Sequence, residues 1–304
     1  MAKVGKYRFV QPEALAKLGR LNLIARAVVE GFISGLHRSP YRGFSVEFSE
    51  HREYVPGDNP KDLDWLALAR TDRLYVKQYE EETNLRAHIL LDTSASMGYR
   101  HRSDGLTKLE YGCYLAAALA FLMTRQQDPV GLVTFDEEIR HFLPPRSTTL
   151  HLNRLLQCLE QVVPSMTTGI SATFHDLAER IKKRGLIIII SDLYEAGGAD
   201  RDVMRGLLHF RHKKHEVLLF HVLDDAELDF PFERLSEFVD METGERIQAD
   251  PSYMREEYRR HVREFVDTIR RDCASANVDY VFANTSTPYD LLLRAYLQRR
   301  KRMG

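Results

Sequence analysis

Apolar residues recur at helical spacing over residues 12–30, where Leu15, Leu18, Leu21, Ile24, Ala25 and Val28 share one face. The pattern then changes. Over residues 35–82, Gly, Pro, aromatic and charged residues mix, with short alternating stretches at 44–48 and 74–79 and a turn signal at 56–60. This predicts a small β-rich module. From residue 84 onward, short apolar runs alternate with longer amphipathic ones. Strands are predicted at 87–91, 130–135, 186–191, 217–222 and 278–282, with an edge strand at 139–143. Helices are predicted at 106–125, 150–163, 174–183, 201–210, 251–276 and 289–300. The stretch 238–247 alternates around Glu242-Thr243-Gly244-Glu245 and predicts an inserted hairpin.

Fully apolar strands alternating with helices imply a parallel sheet covered on both faces. The fold class expected is therefore α/β, a Rossmann-like doubly wound and mostly parallel sheet. The expected division is 1–83 for the N-terminal helix and β-rich module and 84–304 for the α/β domain.

In such folds ligands bind beyond the carboxyl ends of the strands. The residues found there are Asp92-Thr93-Ser94-Ala95-Ser96 after the first strand and Ser191-Asp192 after the run LIIII. A Thr- and Ser-rich turn, 167–173, lies between them in the chain. Two carboxylates and several hydroxyls form an all-oxygen donor set suited to Mg²⁺, Mn²⁺ or Ca²⁺. Alternate residues of a turning loop can face one ion, so the spacing D-x-S-x-S lets Ser94 and Ser96 act together. A Ser-rich turn that merely caps the next helix would show the same three residues. The position at the end of a buried strand, and a second strand-end Asp at the right place in the fold order, favour the cation site.

Composition narrows the classes. With 44% hydrophobic residues the chain can bury a sizeable core, and its net charge of −1 gives no general attraction to nucleic acid or anionic membranes. The three cysteines, Cys113, Cys158 and Cys273, are far apart and suggest neither a disulfide framework nor a metal knuckle. Cys113 and Cys158 fit buried apolar positions. No apolar run approaches a membrane span, and the first twenty residues lack a leader's apolar stretch. A soluble, cytoplasmic protein is expected. No GxxxxGK[ST], HExxH, GxSxG or GxGxxG motif is present, so ATP hydrolysis by the P-loop route is excluded. Trp65 is expected as a core plug, and Arg52, Asp58 and Asp64 as an ion network. His212 and His215, beside Arg211, Lys213 and Lys214, read as a solvated cationic helix end.

The segments HILLDTSASM, VGLVTFDEEIRHFLPP and LIIIISDLYE, in that order, resemble the motifs of von Willebrand factor A domains. The upstream run R-x-Y-x-x-G-D-x-x-x-x-x-D-W, Arg52 to Trp65, is similar to the signature region of bacterial DUF58 proteins. The first resemblance implies a metal-ion-dependent adhesion site. Asp92, Ser94 and Ser96 would be its first-loop ligands and Asp192 its late acidic ligand. A third-loop hydroxyl is assigned to Ser171, with Thr168 and Thr173 as alternatives, because the usual Gly-Gly-Thr reads Gly169-Ile170-Ser171 here. The second resemblance implies a non-enzymatic adaptor acting with a MoxR-type AAA+ ATPase in assembly, maturation or stress response. A metal-dependent phosphoester hydrolase, with Glu195 or Asp136 as base, and a structural protein with a vestigial site are the alternatives.

Overall fold

Six short strands, the central ones made almost wholly of apolar residues, line up side by side in the larger part of the chain. They are β3 (Ala87–Asp92), β4 (Val130–Phe135), β5 (Ile139–Arg146), β6 (Leu186–Ser191), β7 (Glu216–Leu223) and β10 (Asp279–Asn284). The computed structural model describes residues 46–55, 63–71, 73–81, 86–165, 170–194 and 200–303. The described residues divide into one unit that ends by residue 81 and another that begins at residue 86. The helix expected over 12–30 and the turn at 56–60 lie outside them.

The strand order is β10-β7-β6-β3-β4-β5. All neighbours are parallel except the β4–β5 pair at one edge. Numbered within this sheet, the order is 3-2-1-4-5-6, the doubly wound arrangement. Every residue of β3, β4 and β6 is buried, as a sheet covered on both faces requires. The antiparallel edge strand β5 carries Pro144 and Pro145, which a central strand would not accept.

Helices cover both faces. On one, α4 (Ile170–Arg180), α5 (Asp200–His212) and α7 (Pro251–Ser275) join Leu90, Ile187, Ile189, Val217 and Leu219 in a single core through Phe174, Leu177, Leu207, Phe210 and Ile269. The other face holds α2 (Lys108–Arg125), with α3 (Thr149–Gln161) and α8 (Tyr289–Met303) packed beside it. Thr107 begins α2 with a capping box: its hydroxyl accepts from the Glu110 amide, and the Glu110 carboxylate accepts from the Thr107 amide. A Cβ on Gly112 would lie 2.9 Å from Leu91 Cδ1 and 3.1 Å from Ile190 Cγ2. That glycine lets α2 press onto the seam between β3 and β6.

Between β7 and α7 the chain makes a short helix, α6 (Asp225–Asp229), and a hairpin of β8 (Ser236–Val239) and β9 (Arg246–Ala249). The hairpin is where the alternation placed it; the short helix was not foreseen.

The smaller unit pairs β1 (Val46–Glu53) antiparallel with β2 (Tyr75–Glu81), around α1 (Trp65–Thr71). Trp65 is 64% exposed, so the expectation of a core plug is corrected. The cause is local. Asp64 caps α1, accepting from the Ala67 amide, and Trp65 as first residue of a short helix faces outward. Asp58 and the Arg52 side chain lie outside what is described. His215 is a second correction. It is 1% exposed, with Nε2 3.2 Å from the Ile181 carbonyl, and so is no part of a solvated helix end. Cys113 is buried as expected, while Cys158 is half-buried.

His88, in the middle of the sheet, makes the fold acid-sensitive. Burial, then the charges of His215 and Arg86, lowers its pKa to about 4, and among the described residues its Nδ1 has no hydrogen-bond partner. The unfolded chain accepts that proton near the ordinary value of about 6.5. This stability contribution is therefore present above about pH 6.5 and lost as pH falls toward 4. Asp128, raised to about 7 by burial, works in the opposite sense. Urea unfolding of wild type and His88→Leu across this range isolates the histidine. The variant should lose less stability on acidification, by on the order of 2–3 kcal/mol at the acid end. Parallel curves for the two proteins would contradict this assignment.

Candidate functional site

The strand order reverses between β3 and β6, because their crossovers leave in opposite directions. This opens a crevice at the carboxyl ends of the two strands. Asp92 is the last residue of β3, and Asp192 follows the last residue of β6. Both are fully buried. The sheet itself therefore brings together the two carboxylates that lie a hundred residues apart in the chain.

The loop after β3 turns at once. Asp92 Oδ1 accepts from the Ser94 amide at 2.9 Å, and a single 3₁₀ turn follows at Ser96–Gly98. Ser94 Oγ and Ser96 Oγ lie 3.1 Å apart, so the D-x-S-x-S spacing does put both hydroxyls on one side of the loop. Thr93 points the other way. Its hydroxyl and amide both donate to the Phe135 carbonyl, tying the loop to β4. The Ser165 amide donates to the Thr93 carbonyl and closes a further strap over it.

The second loop is built with more strain. Leu193, directly after Asp192, is buried with φ of 59°, a left-handed backbone rarely taken by Leu. Two contacts hold it. The Leu193 amide donates to Ser191 Oγ, and Ser191 Oγ donates to Asp92 Oδ2 at 2.5 Å, linking the two strand ends. His221 Nε2 lies 3.0 Å from the Asp192 carbonyl, which can only accept, so this nitrogen carries the proton. Its Nδ1 then accepts from the Tyr280 hydroxyl at 2.9 Å. Burial holds His221 near a pKa of about 4 and neutral.

The third-loop assignments divide. Thr173 is already engaged through its proton: its hydroxyl donates to the carbonyls of Asp136 and Glu137, at the β4–β5 turn. Thr168 and the Ser171 side chain lie outside what is described, although Ser171 belongs to the first turn of α4. That helix starts four residues earlier than periodicity placed it.

Lys108 and Glu227 escaped the sequence reading. Lys108, the first residue of α2, is fully buried, with Nζ 2.6 Å from Asp192 Oδ2 and 2.6 Å from Glu227 Oε1. The Tyr194 ring lies 5.1 Å from the ammonium. Burial works against the charged lysine, but Asp192 and Glu227 outweigh it and hold the ammonium above its usual range. Glu227 Oε2 accepts from the Asp224 amide, completing the capping box of α6. The one signal that could have flagged Lys108 is that a Lys at the start of an apolar helix opposes the helix dipole.

Asp192 and Glu227 thus share a single ammonium, and Asp92 stands beside Asp192 without it. The imbalance shows on Asp92. Burial, then the neighbouring charge of Asp192, pushes its pKa up to about 7, against the pull of its bonds from Ser191 and Ser94. Such a cluster favours either a proton or a cation. Its donors, carboxylate and hydroxyl oxygens, suit a hard divalent ion. Among the described residues, no three His, Cys, Asp or Glu side chains converge in a way that could hold a metal. An ion here would need the hydroxyls of Ser94 and Ser96.

An α/β domain with paired acids at its topological switch point is the class that fold and site define. The chain belongs to the family described as "Protein of unknown function DUF58", which matches residues 50–267. Uncharacterized proteins of Mycobacterium bovis and Mycobacterium tuberculosis are each 27% identical to it over 268 residues, covering 85% of this chain and 82% of theirs. Among solved structures, it is similar to BatB from Bacteroides thetaiotaomicron, with 18% identity, TM-score 0.45, and 72% of this chain and 99% of that one covered. A von Willebrand factor type A structure from Catenulispora acidiphila is similar with 11% identity and TM-score 0.35, over 58% of this chain and 41% of that one. No helix among the described residues is long and apolar enough to cross a membrane.

Proposed function

We propose that this chain is a non-enzymatic, cation-dependent protein-binding module. Asp92, Ser94 and Ser96, with Asp192 and Ser171 completing the site, would hold Mg²⁺ or a similar ion. When bound, such an ion supplies an open, Lewis-acidic position for an acidic side chain of a partner. The observation that carries this reading is the pairing of the Ser94 and Ser96 hydroxyls on the loop of buried Asp92, at the switch point where buried Asp192 also lies. The rim supports a protein partner. A Cβ on Gly98, at the end of the 3₁₀ turn, would lie 3.0 Å from Pro164 and 3.5 Å from the methyl of Met241 at the hairpin tip. Val163 and Met241 are both exposed beside it. The expected partner is a MoxR-type AAA+ ATPase, with this chain as adaptor in the cytoplasm.

The side chains that hydrolysis would need are otherwise engaged. His221 holds the Asp192 carbonyl, Glu227 is bound to Lys108, and Asp136 accepts from Arg140 at 2.6 Å. Glu195 lies outside the described residues. These commitments support binding over turnover.

Isothermal titration with Mn²⁺, followed by binding to a MoxR-type ATPase in Mg²⁺ or in EDTA, tests the reading. Asp92→Ala should weaken both the ion and the partner by at least about tenfold. Unchanged partner affinity for Asp92→Ala at saturating Mg²⁺ would defeat it.

A further inference from the structure

The Lys108 side chain is the most unusual charge in the described residues. A long cation has been drawn fully inside, at the wrong end of a helix dipole, to meet two carboxylates at 2.6 Å each. Burying an ammonium is costly unless it is paired and hydrogen-bonded, and here both conditions are met. Gly112 seats α2 against the β3–β6 seam, and the Thr107 capping box fixes where the helix begins. The ammonium is therefore held in place by the fold.

Its position has a consequence for the cation site. Among the described residues, Asp192 would be one of two carboxylates for an ion at Ser94 and Ser96, yet Asp192 Oδ2 already faces the ammonium. Its Oδ1 accepts from the Tyr194 amide. An ion on the Asp92 side would meet a carboxylate whose charge is partly spent, with a like charge directly behind it. In a buried setting that repulsion is weakly screened. Glu227 acts in the opposite sense, drawing the ammonium away from Asp192 and adding negative charge.

We propose that Lys108 sets the divalent-ion affinity of this site: its ammonium competes with the ion for the Asp192 carboxylate, and Glu227 moderates it. The proposal rests on the cation-binding reading given above. It adds that Asp192 tunes the ion through Lys108 and that the wild-type affinity is held low by design of the fold. Weak intrinsic affinity would make occupancy depend on the extra negative charge that an acidic partner brings.

Mn²⁺ titration calorimetry on the full chain tests this with variants of opposite expected sign. Lys108→Met should tighten Mn²⁺ by at least about tenfold, and Glu227→Gln should weaken it by a similar factor. Lys108→Arg, which keeps the charge, should not tighten it. Adding Asp92→Ala to Lys108→Met should abolish the gain. Lys108→Met at or below wild-type affinity, in a folded protein whose Mn²⁺ heat still depends on Asp92, overturns the role of Lys108 and leaves the cation site standing. No Asp92-dependent heat in wild type, with binding acquired by Lys108→Met, supports Lys108 and overturns the wild-type cation site. No binding in either protein overturns both. Should Lys108→Met fail to fold, Glu227→Gln decides: unchanged or tighter binding overturns the proposal.

Discussion

Without added divalent ion, Lys108→Met is expected to lose about 3–5 kcal/mol of unfolding free energy near neutral pH and above, the usual result of removing one member of a buried ion pair. Methionine fills much of the same space, so the loss is electrostatic. It leaves Asp92, Asp192 and Glu227 buried without the ammonium that two of them share. The tyrosines around the cluster cannot replace it. Burial and nearby negative charge keep Tyr99, Tyr194 and Tyr258 protonated and neutral. The deficit should carry a pH signature. Asp92 and Glu227 already sit above the usual carboxylate range, and losing Lys108 raises them further. A carboxyl raised in the folded state gives stability below its unfolded value, near 4, that is lost as pH rises through the folded value, about 7 for Asp92. For Asp92 the gap between variant and wild type should therefore shrink as pH falls toward about 7, below which that carboxyl is protonated in both proteins. Urea denaturation at several pH values measures it. A gap that stayed constant with pH would mean that lost packing, not unpaired charge, is responsible.

This charge cluster also marks how far the sequence alone could be read. The strand-end acids were legible because β3 and β6 announce themselves. AHILLD and LIIIIS are short, apolar and β-branched, and an Asp at the end of a buried strand has one place to go in a doubly wound sheet. The edge strand was legible at 139–143, though not its antiparallel direction, and the hairpin through Thr243-Gly244. Lys108 was not, because it sits in the first turn of a helix, where a lysine ordinarily reaches solvent. Only the tertiary meeting of α2, β6 and α6 makes it interior. Glu227 was hidden for a related reason. Asp224-x-x-Glu227 is a capping box, but its helix spans only Asp225–Asp229, too short for periodicity to detect. The place of Thr173 was not legible either, because α4 begins at Ile170, earlier than periodicity placed it. That puts Thr173 one turn inside the helix, where its hydroxyl meets the β4–β5 turn. Trp65 and His215 fail in opposite directions, one outside and one inside. A single residue's burial depends on which neighbours the fold supplies, and local pattern does not encode that.

The second large effect lies at the far end of the same seam. Gly185→Ala is expected to destabilise the protein by about 3 kcal/mol or more, at the upper end for overpacking. Gly185 immediately precedes β6, and a Cβ built there would lie 2.0 Å from the Arg86 carbonyl oxygen and 3.1 Å from its carbon. Both are backbone atoms, so no rotamer change relieves the contact. That same carbonyl accepts from the Leu186 amide, and the Gly185 carbonyl accepts from the Glu216 amide. Moving either chain breaks the start of the β3–β6 register at Ala87–Leu186 or loosens β7. The seam so disturbed is the one that carries Asp92 and Asp192 at its other end. Gly244→Ala is the matched control. Its φ of 74° is left-handed but nothing lies within 4 Å of the added methyl, so only backbone strain of about 1 kcal/mol is expected. Chemical denaturation should separate the two variants clearly. Gly185→Ala unfolding within about 1 kcal/mol of wild type would show that β3 and β6 can part without loss, and the close backbone approach would then have no role in holding the site.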